Sequence, residues 1–183
     1  MTDINTILGR SQRPTPGATV GTDAGHERLT SVVELIFFAY RDFTGESDAV
    51  LKAYDFGRAH HRVLHFVMWR PGLRVADLLD ILKITKQSLA RVLKQLVDRG
   101  FIVQEAGEED RRERRLYPTA DGRKLAEQLR TLQTGRIAAA LAEIEPEAQP
   151  AALRFLLALT SREDRAGLEK ALVAAGLDPA RKI

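Results

Sequence analysis

The chain has 183 residues, 44% hydrophobic and 29% charged, with no cysteine and a formal net charge of +3. That length suits one domain with a packed core and an extension, and the lack of cysteine excludes disulfides, thiolate metal sites and thiol redox switches. No apolar run nears membrane-spanning length and no charged-then-apolar leader opens the chain, so a cytoplasmic protein without a membrane partner is expected. The charge is unevenly spread: residues 83–104 carry a net +4 and residues 136–178 a net −2. Positive charge gathered on one segment is the footprint of a nucleic-acid partner.

Residues 1–25 contain Pro14, Pro16, Gly17, Gly21 and Gly25 with little apolar periodicity and read as a flexible arm, somewhat basic at Arg10 and Arg13. Leu29, Val32, Val33, Ile36, Phe37 and Tyr40 then keep the i, i+3, i+4 rhythm of an amphipathic helix. Phe38 and Phe43 extend its apolar surface beyond one stripe, which suits burial against a partner chain. Gly45 is expected to break or bend this helix, with a restart at Ser47-Asp48 up to Tyr54.

The next helix is predicted from Gly57 to Trp69, closed by Pro71-Gly72. Phe56, His60, Val63, Leu64 and Val67 form its inner face, making His60 a hydrogen-bonded core histidine. His61 and His65 are i, i+4 neighbours on a flank. Their spacing could suit a metal, but no third ligand lies near in sequence, so they read as a surface pair or as part of a small-ligand pocket, with no metal.

Arg74–Leu82 is a short helix with Val75, Leu78, Leu79 and Leu82 on one side, and Lys83-Ile84 turn directly into another. There Leu89, Val92, Leu93 and Leu96 make the apolar stripe, Thr85 is the N-cap and Gly100 the residue past the C-terminus. Gln87, Arg91 and Lys94 fall on the opposite face, with Thr85, Lys86 and Ser88 around the start. Cationic and amide side chains at a helix N-terminus match the donor and acceptor groups of a DNA major groove; the plain alternative is a solvated helix face. Two helices joined by a short turn, the second with a polar face, form a helix-turn-helix, here without a turn glycine.

Phe101–Gln104 and Leu116–Thr119 are short β-prone runs joined by a charged loop, a hairpin of the kind called a wing. Thr119 caps a long helix carrying Leu125, Leu129, Leu132, Ala140, Leu141 and Ile144, which Glu145-Pro146 and Pro150 stop. A final helical region runs to about Ala175, and Ser161 with Asp164 resembles a capping box, leaving it one helix or two.

Residues from about 29 to 160 resemble the MarR family of winged helix-turn-helix transcriptional regulators. The motifs that carry this are Phe56-Gly57 with His60-His61-Arg62-Val63-Leu64, then Pro71-Gly72-Leu73-Arg74-Val75-Ala76-Asp77-Leu78, Ile84-Thr85-Lys86-Gln87-Ser88, and Asp110–Gly122. The last is the most specific, because members typically show Asp-Xaa-Arg in the wing and Leu-Thr-Xaa-Xaa-Gly after it; Pro118 stands here where leucine is usual. The resemblance implies a mainly α fold with a small β-hairpin wing and a homodimer with interlocked N- and C-terminal helices. It divides the chain into an arm (1–25) and a MarR-like domain (26–178), with a DNA-binding lobe at 56–118 and dimerisation helices at 26–55 and 119–178.

The function expected is that of a dimeric regulator, a repressor by preference, on a near-palindromic double-stranded DNA. Thr85, Lys86, Gln87, Ser88, Arg91 and Lys94 would serve the major groove. By resemblance Arg112 would be the minor-groove arginine and Asp110 the carboxylate that orients it, with Arg111 beside them. A small aromatic or anionic effector is expected near Tyr40, His61, Arg62 and His65. No cofactor is expected. Two other classes compete. In a winged-helix protein-interaction module the basic helix would be incidental, and the density of base-compatible residues argues against it. An enzyme is disfavoured because GxSxG, GxGxxG, HExxH and phosphate-binding glycine loops are all missing.

Overall fold

The computed structural model describes residues 23–107 and 113–180. Most of the proposed arm, and Asp110, Arg111 and Arg112 of the proposed wing, lie outside the described residues. Two compact units divide the chain, one ending at Asp42 and the other beginning at Phe43.

Seven helices and a three-stranded sheet make up the described residues: α1 (Asp23–Lys52), α2 (Arg58–Trp69), β1 (Leu73–Arg74), α3 (Val75–Leu82), α4 (Lys86–Asp98), β2 (Ile102–Ala106), β3 (Arg114–Pro118), α5 (Ala120–Ala142), α6 (Gln149–Leu159) and α7 (Arg162–Ala174). α1 passes through Gly45 unbroken, contrary to the expected break there. A single interior glycine costs a helix only about 1 kcal/mol, and the buried Ser47 and Leu51 that follow anchor the turn beyond it. Asp23–Gly25, expected in the arm, belong to the first turn of α1.

In the second unit, Leu51, Val63, Leu64, Val67, Leu78, Leu89, Leu96, Ile102, Leu116 and Leu129 are buried in one core. The stripe predicted from residue spacing on α4 is the face that enters it: Leu89, Val92, Leu93 and Leu96 are all buried. The wing is antiparallel, with Ile102 opposite Pro118 and Ala106 opposite Arg114. Pro118 ends β3 without shortening it. The strand β1, not foreseen from the sequence, pairs Leu73 with Leu116 on the other side of β3.

The junction between wing and long helix is a tight crossing. Thr119 caps α5 by accepting from the Gly122 amide at 3.0 Å, and its hydroxyl donates to the Gly100 carbonyl at 2.6 Å. Its own amide donates to the Phe101 carbonyl at 3.1 Å. Gly122 passes so close to that carbonyl that a Cβ would stand 2.0 Å from the oxygen. This gives the Thr-Xaa-Xaa-Gly spacing a packing reason: only glycine fits where the helix meets the turn backbone. The C-terminal region resolves into two helices. Ser161 caps α7, accepting from the Asp164 amide at 3.3 Å, while Pro150 sits in the first turn of α6, where its missing N–H costs nothing.

Candidate nucleic-acid interface

Burying Leu89, Val92, Leu93 and Leu96 forces the other side of α4 into solvent. Lys86, Gln87, Ser88, Arg91 and Lys94 are all exposed there. The N-terminus is fixed by its cap, since the Thr85 hydroxyl oxygen accepts from the Ser88 amide at 3.2 Å and donates to Ser88 Oγ at 2.9 Å. Thr85 and Ser88 are therefore engaged with each other. Lys94 pairs with Asp98 one turn on. Among the described residues Arg91, Lys86 and Gln87 make no ion pair or side-chain hydrogen bond, so they present unspent donors and acceptors.

α2 sets the angle at which α4 is held. The Gly57 amide donates to His60 Nδ1 at 3.0 Å, which leaves the ring proton on Nε2, 2.7 Å from Gln95 Oε1 of α4. His60 also stacks on Phe56 at 4.6 Å. It is hydrogen-bonded as expected but only half-buried; the histidine turned into the protein is His61. The reason is that α2 inserts between α4 and α5, so adjacent residues face different neighbours. Arg62 donates from Nη2 to the Leu82 carbonyl at 3.1 Å, holding the end of α3. The turn itself has Lys83 in the left-handed region at φ 51°, where glycine is the easier residue.

His61 and His65 come together in the wall of a cavity of about 720 Å³. Phe66, Met68 and Trp69 of α2 line it with Leu153, Leu156 and Leu157 of α6 and Leu168 and Leu172 of α7. Burial pushes the His61 imidazole below its ordinary pKa and the charge of His65 pushes it further, against a small opposing pull from Asp48. Burial likewise lowers His65. The cation and the carboxylate at the cavity, Arg130 and Glu127, neutralise each other through a two-pronged pair at 2.8 and 2.5 Å. Arg62 is not part of this wall, because its guanidinium is turned to Leu82; Tyr40 lies on an exposed part of α1 in the other unit. Of the four expected effector residues, the structure brings two together. It adds the leucines of α6 and α7. Among the described residues no group of three or more metal-ligating side chains forms, and no helix is long and apolar enough to cross a membrane.

The fold and the exposed α4 face define a winged helix-turn-helix protein. Residues 54–113 match the model of the MarR family. Over 122 residues the chain is 44% identical to the HTH-type transcriptional regulator PetP of Rhodobacter capsulatus, covering 67% of this chain and 74% of that one. The chain belongs to the MarR family of DNA-binding transcriptional regulators. Among solved structures, a putative MarR family regulator from Listeria monocytogenes complexed with 26mer DNA superposes with a TM-score of 0.61 at 22% identity, covering 79% of this chain and 94% of that one. A Mycobacterium tuberculosis MarR family protein in complex with p-aminosalicylic acid gives 0.50 at 26% identity, covering 70% and 97%.

Proposed function

We propose that the protein is a homodimeric repressor that reads a near-palindromic duplex, with α4 in the major groove and the wing in the minor groove. The observation that carries this is the exposed face of α4, where Arg91, Gln87 and Lys86 have no side-chain partner among the described residues, beside a capped helix N-terminus. Arg91 suits guanine O6 and N7, and Gln87 suits adenine N6 and N7. Lys94, partly neutralised by Asp98, suits a phosphate, and Thr85 and Ser88 serve first as the cap. In the wing, Arg112 enters the minor groove with Asp110 orienting it and Arg111 on the flanking phosphate. Two chains are needed because Leu29, Val33, Leu35 and Phe37 of α1 and Phe155 and Leu159 of α6 remain exposed, an apolar surface that a second copy covers. A dimer seated on two successive major grooves excludes other proteins from that stretch, which favours repression. The setting is the cytoplasm, where the duplex is.

The test is selection of duplexes from random DNA by the purified protein, followed by a salt series. Recovered sites should be near-palindromes with half-sites about one helical turn apart, and affinity should fall steeply with salt. Arg91→Ala should then lose more on the selected site than on scrambled DNA; equal loss on both would make Arg91 a phosphate contact.

The cavity supports an effector, and its wall narrows the chemistry. An aromatic ligand, neutral or weakly acidic, fits the Phe66, Trp69 and leucine lining, with its polar end on the neutral imidazoles of His61 and His65. A fully anionic ligand would meet no unpaired cation among the described lining residues. The p-aminosalicylic acid complex of the mycobacterial protein supports ligand binding as a family-compatible property. Titration of aromatic acids and their neutral amides against the DNA complex tests this reading, with release by the amide as the expected result.

A further inference from the structure

The start of α3 is built in an unusual way. Arg74 occupies its N-cap, a position where a short oxygen-bearing side chain ordinarily accepts from the first turn; a guanidinium has no acceptor. Asp77 does the complementary half, Oδ2 accepting from the Arg74 amide at 3.4 Å. The same carboxylate grips the guanidinium as a fork, Nε to Oδ2 at 2.8 Å and Nη2 to Oδ1 at 2.6 Å. The remaining prong, Nη1, reaches Glu113 Oε1 at 3.3 Å, and Glu113 Oε2 accepts from Arg115 Nη2 at 3.4 Å. The Glu113 carbonyl in turn accepts from the Gly107 amide at 3.1 Å across the hairpin.

We infer that Arg74 and Glu113 are positioning residues for DNA recognition, a strut from the first helix of the helix-turn-helix to the base of the wing. The inference rests on the reading of the wing as a DNA-contacting element. Isolated surface ion pairs contribute little, but a bidentate fork inside a network of four charges is the exception. Here each end of the network sits on the first residues of a regular element, so the strut fixes one element against the other. The competing role for Arg74 is a direct phosphate contact, with Glu113 merely competing for it.

The two roles differ in sign. Removing the negative charge of Glu113 strengthens binding to a polyanion if Arg74 is a phosphate contact, and weakens it if the pair is a strut. Full-length Glu113→Gln and Arg74→Met would be compared with wild type and Arg112→Ala on operators with A·T-rich and G·C-rich flanks across a salt series. Amide exchange of the free proteins would be followed in parallel. Glu113→Gln should bind A·T-rich flanks about fivefold more weakly, leave G·C-rich flanks nearly unchanged, and speed exchange at the Gly107 amide. Arg74→Met should match it without lowering the salt slope by the unit that a lost phosphate contact would remove. Tighter binding by Glu113→Gln, or unchanged exchange at Gly107, overturns the strut. A defect in Arg112→Ala with none in Glu113→Gln overturns the strut alone, whereas wild-type affinity of Arg112→Ala on A·T-rich flanks removes the wing reading and the strut's role in recognition with it.

Discussion

Leu96 and Leu156 are the same side chain in the same kind of element, yet the first is fully buried and the second is 57% exposed. They stand for two regions of one unit. α4 buries four apolar residues against α2 and the sheet, while α6 buries only Leu157 and α7 none. Periodicity alone does not separate them, since each reads as an amphipathic helix. The difference teaches that the lobe closes its core with its own chain, and the C-terminal helices present apolar faces still to be covered. Burying a leucine or phenylalanine is worth about 1.5–3 kcal/mol, so leaving Phe155, Leu156 and Leu159 in water forgoes a sizeable part of a domain's stability.

The sharpest way to break the self-contained region is at Gly122. Gly122→Ala places a methyl against the Phe101 carbonyl, which belongs to the turn backbone and has little room to yield; a loss above about 4 kcal/mol is expected, read as collapse of the urea midpoint at every protein concentration. Leu96→Ala should cost about 3 kcal/mol from lost transfer and a residual cavity, again independent of concentration. The other region should behave differently. Phe155→Asp with Leu159→Asp should leave the monomer's fold nearly intact while shifting the dimer–monomer midpoint by more than tenfold in sedimentation. A concentration-independent loss of stability would show instead that these side chains serve the chain's own core.

The cavity between the two regions carries a pH dependence. His61 and His65 are both depressed in the folded protein, so below the ordinary histidine pKa of about 6.5 the unfolded chain binds more protons. Stability is complete above that pH and falls as pH drops through it. Thermal unfolding between pH 7.5 and 5.5 should show this slope, and His61→Gln/His65→Gln should flatten it. Least in size, Lys83→Gly should gain about 0.5 kcal/mol by relieving the left-handed turn residue, a shift of a degree or two in Tm and no change in which region unfolds first.

The contrast also explains what the sequence could reveal. The α4 stripe and the Thr85 and Thr119 caps were legible because each depends on neighbours three or four residues away, and the hairpin because its two β-prone runs flank a single loop. The Asp77 fork was legible in principle from its i, i+3 spacing to Arg74. Its link to Glu113, 39 residues away, has no local signal. The cavity was half legible: His61 and His65 share one helix, but the leucines facing them come from α6 and α7, whose docking is a tertiary event. The expected break at Gly45 failed because tertiary anchoring outweighs a propensity of about 1 kcal/mol.

Three successive residues of α2 face three different neighbours. His60 holds α4 through Gln95, His61 lines the cavity, and Arg62 holds the carbonyl that ends α3. At 100° per residue these directions are fixed to one another by the helix backbone. A small roll of α2 about its axis therefore cannot move one without the others: whatever fills the cavity and turns His61 also pulls on both halves of the helix-turn-helix. If α4 meets a duplex and the cavity takes a ligand, as proposed, thermodynamic linkage makes this reciprocal: a duplex that holds α4 in one orientation would alter affinity for the ligand by the same factor that the ligand alters affinity for the duplex.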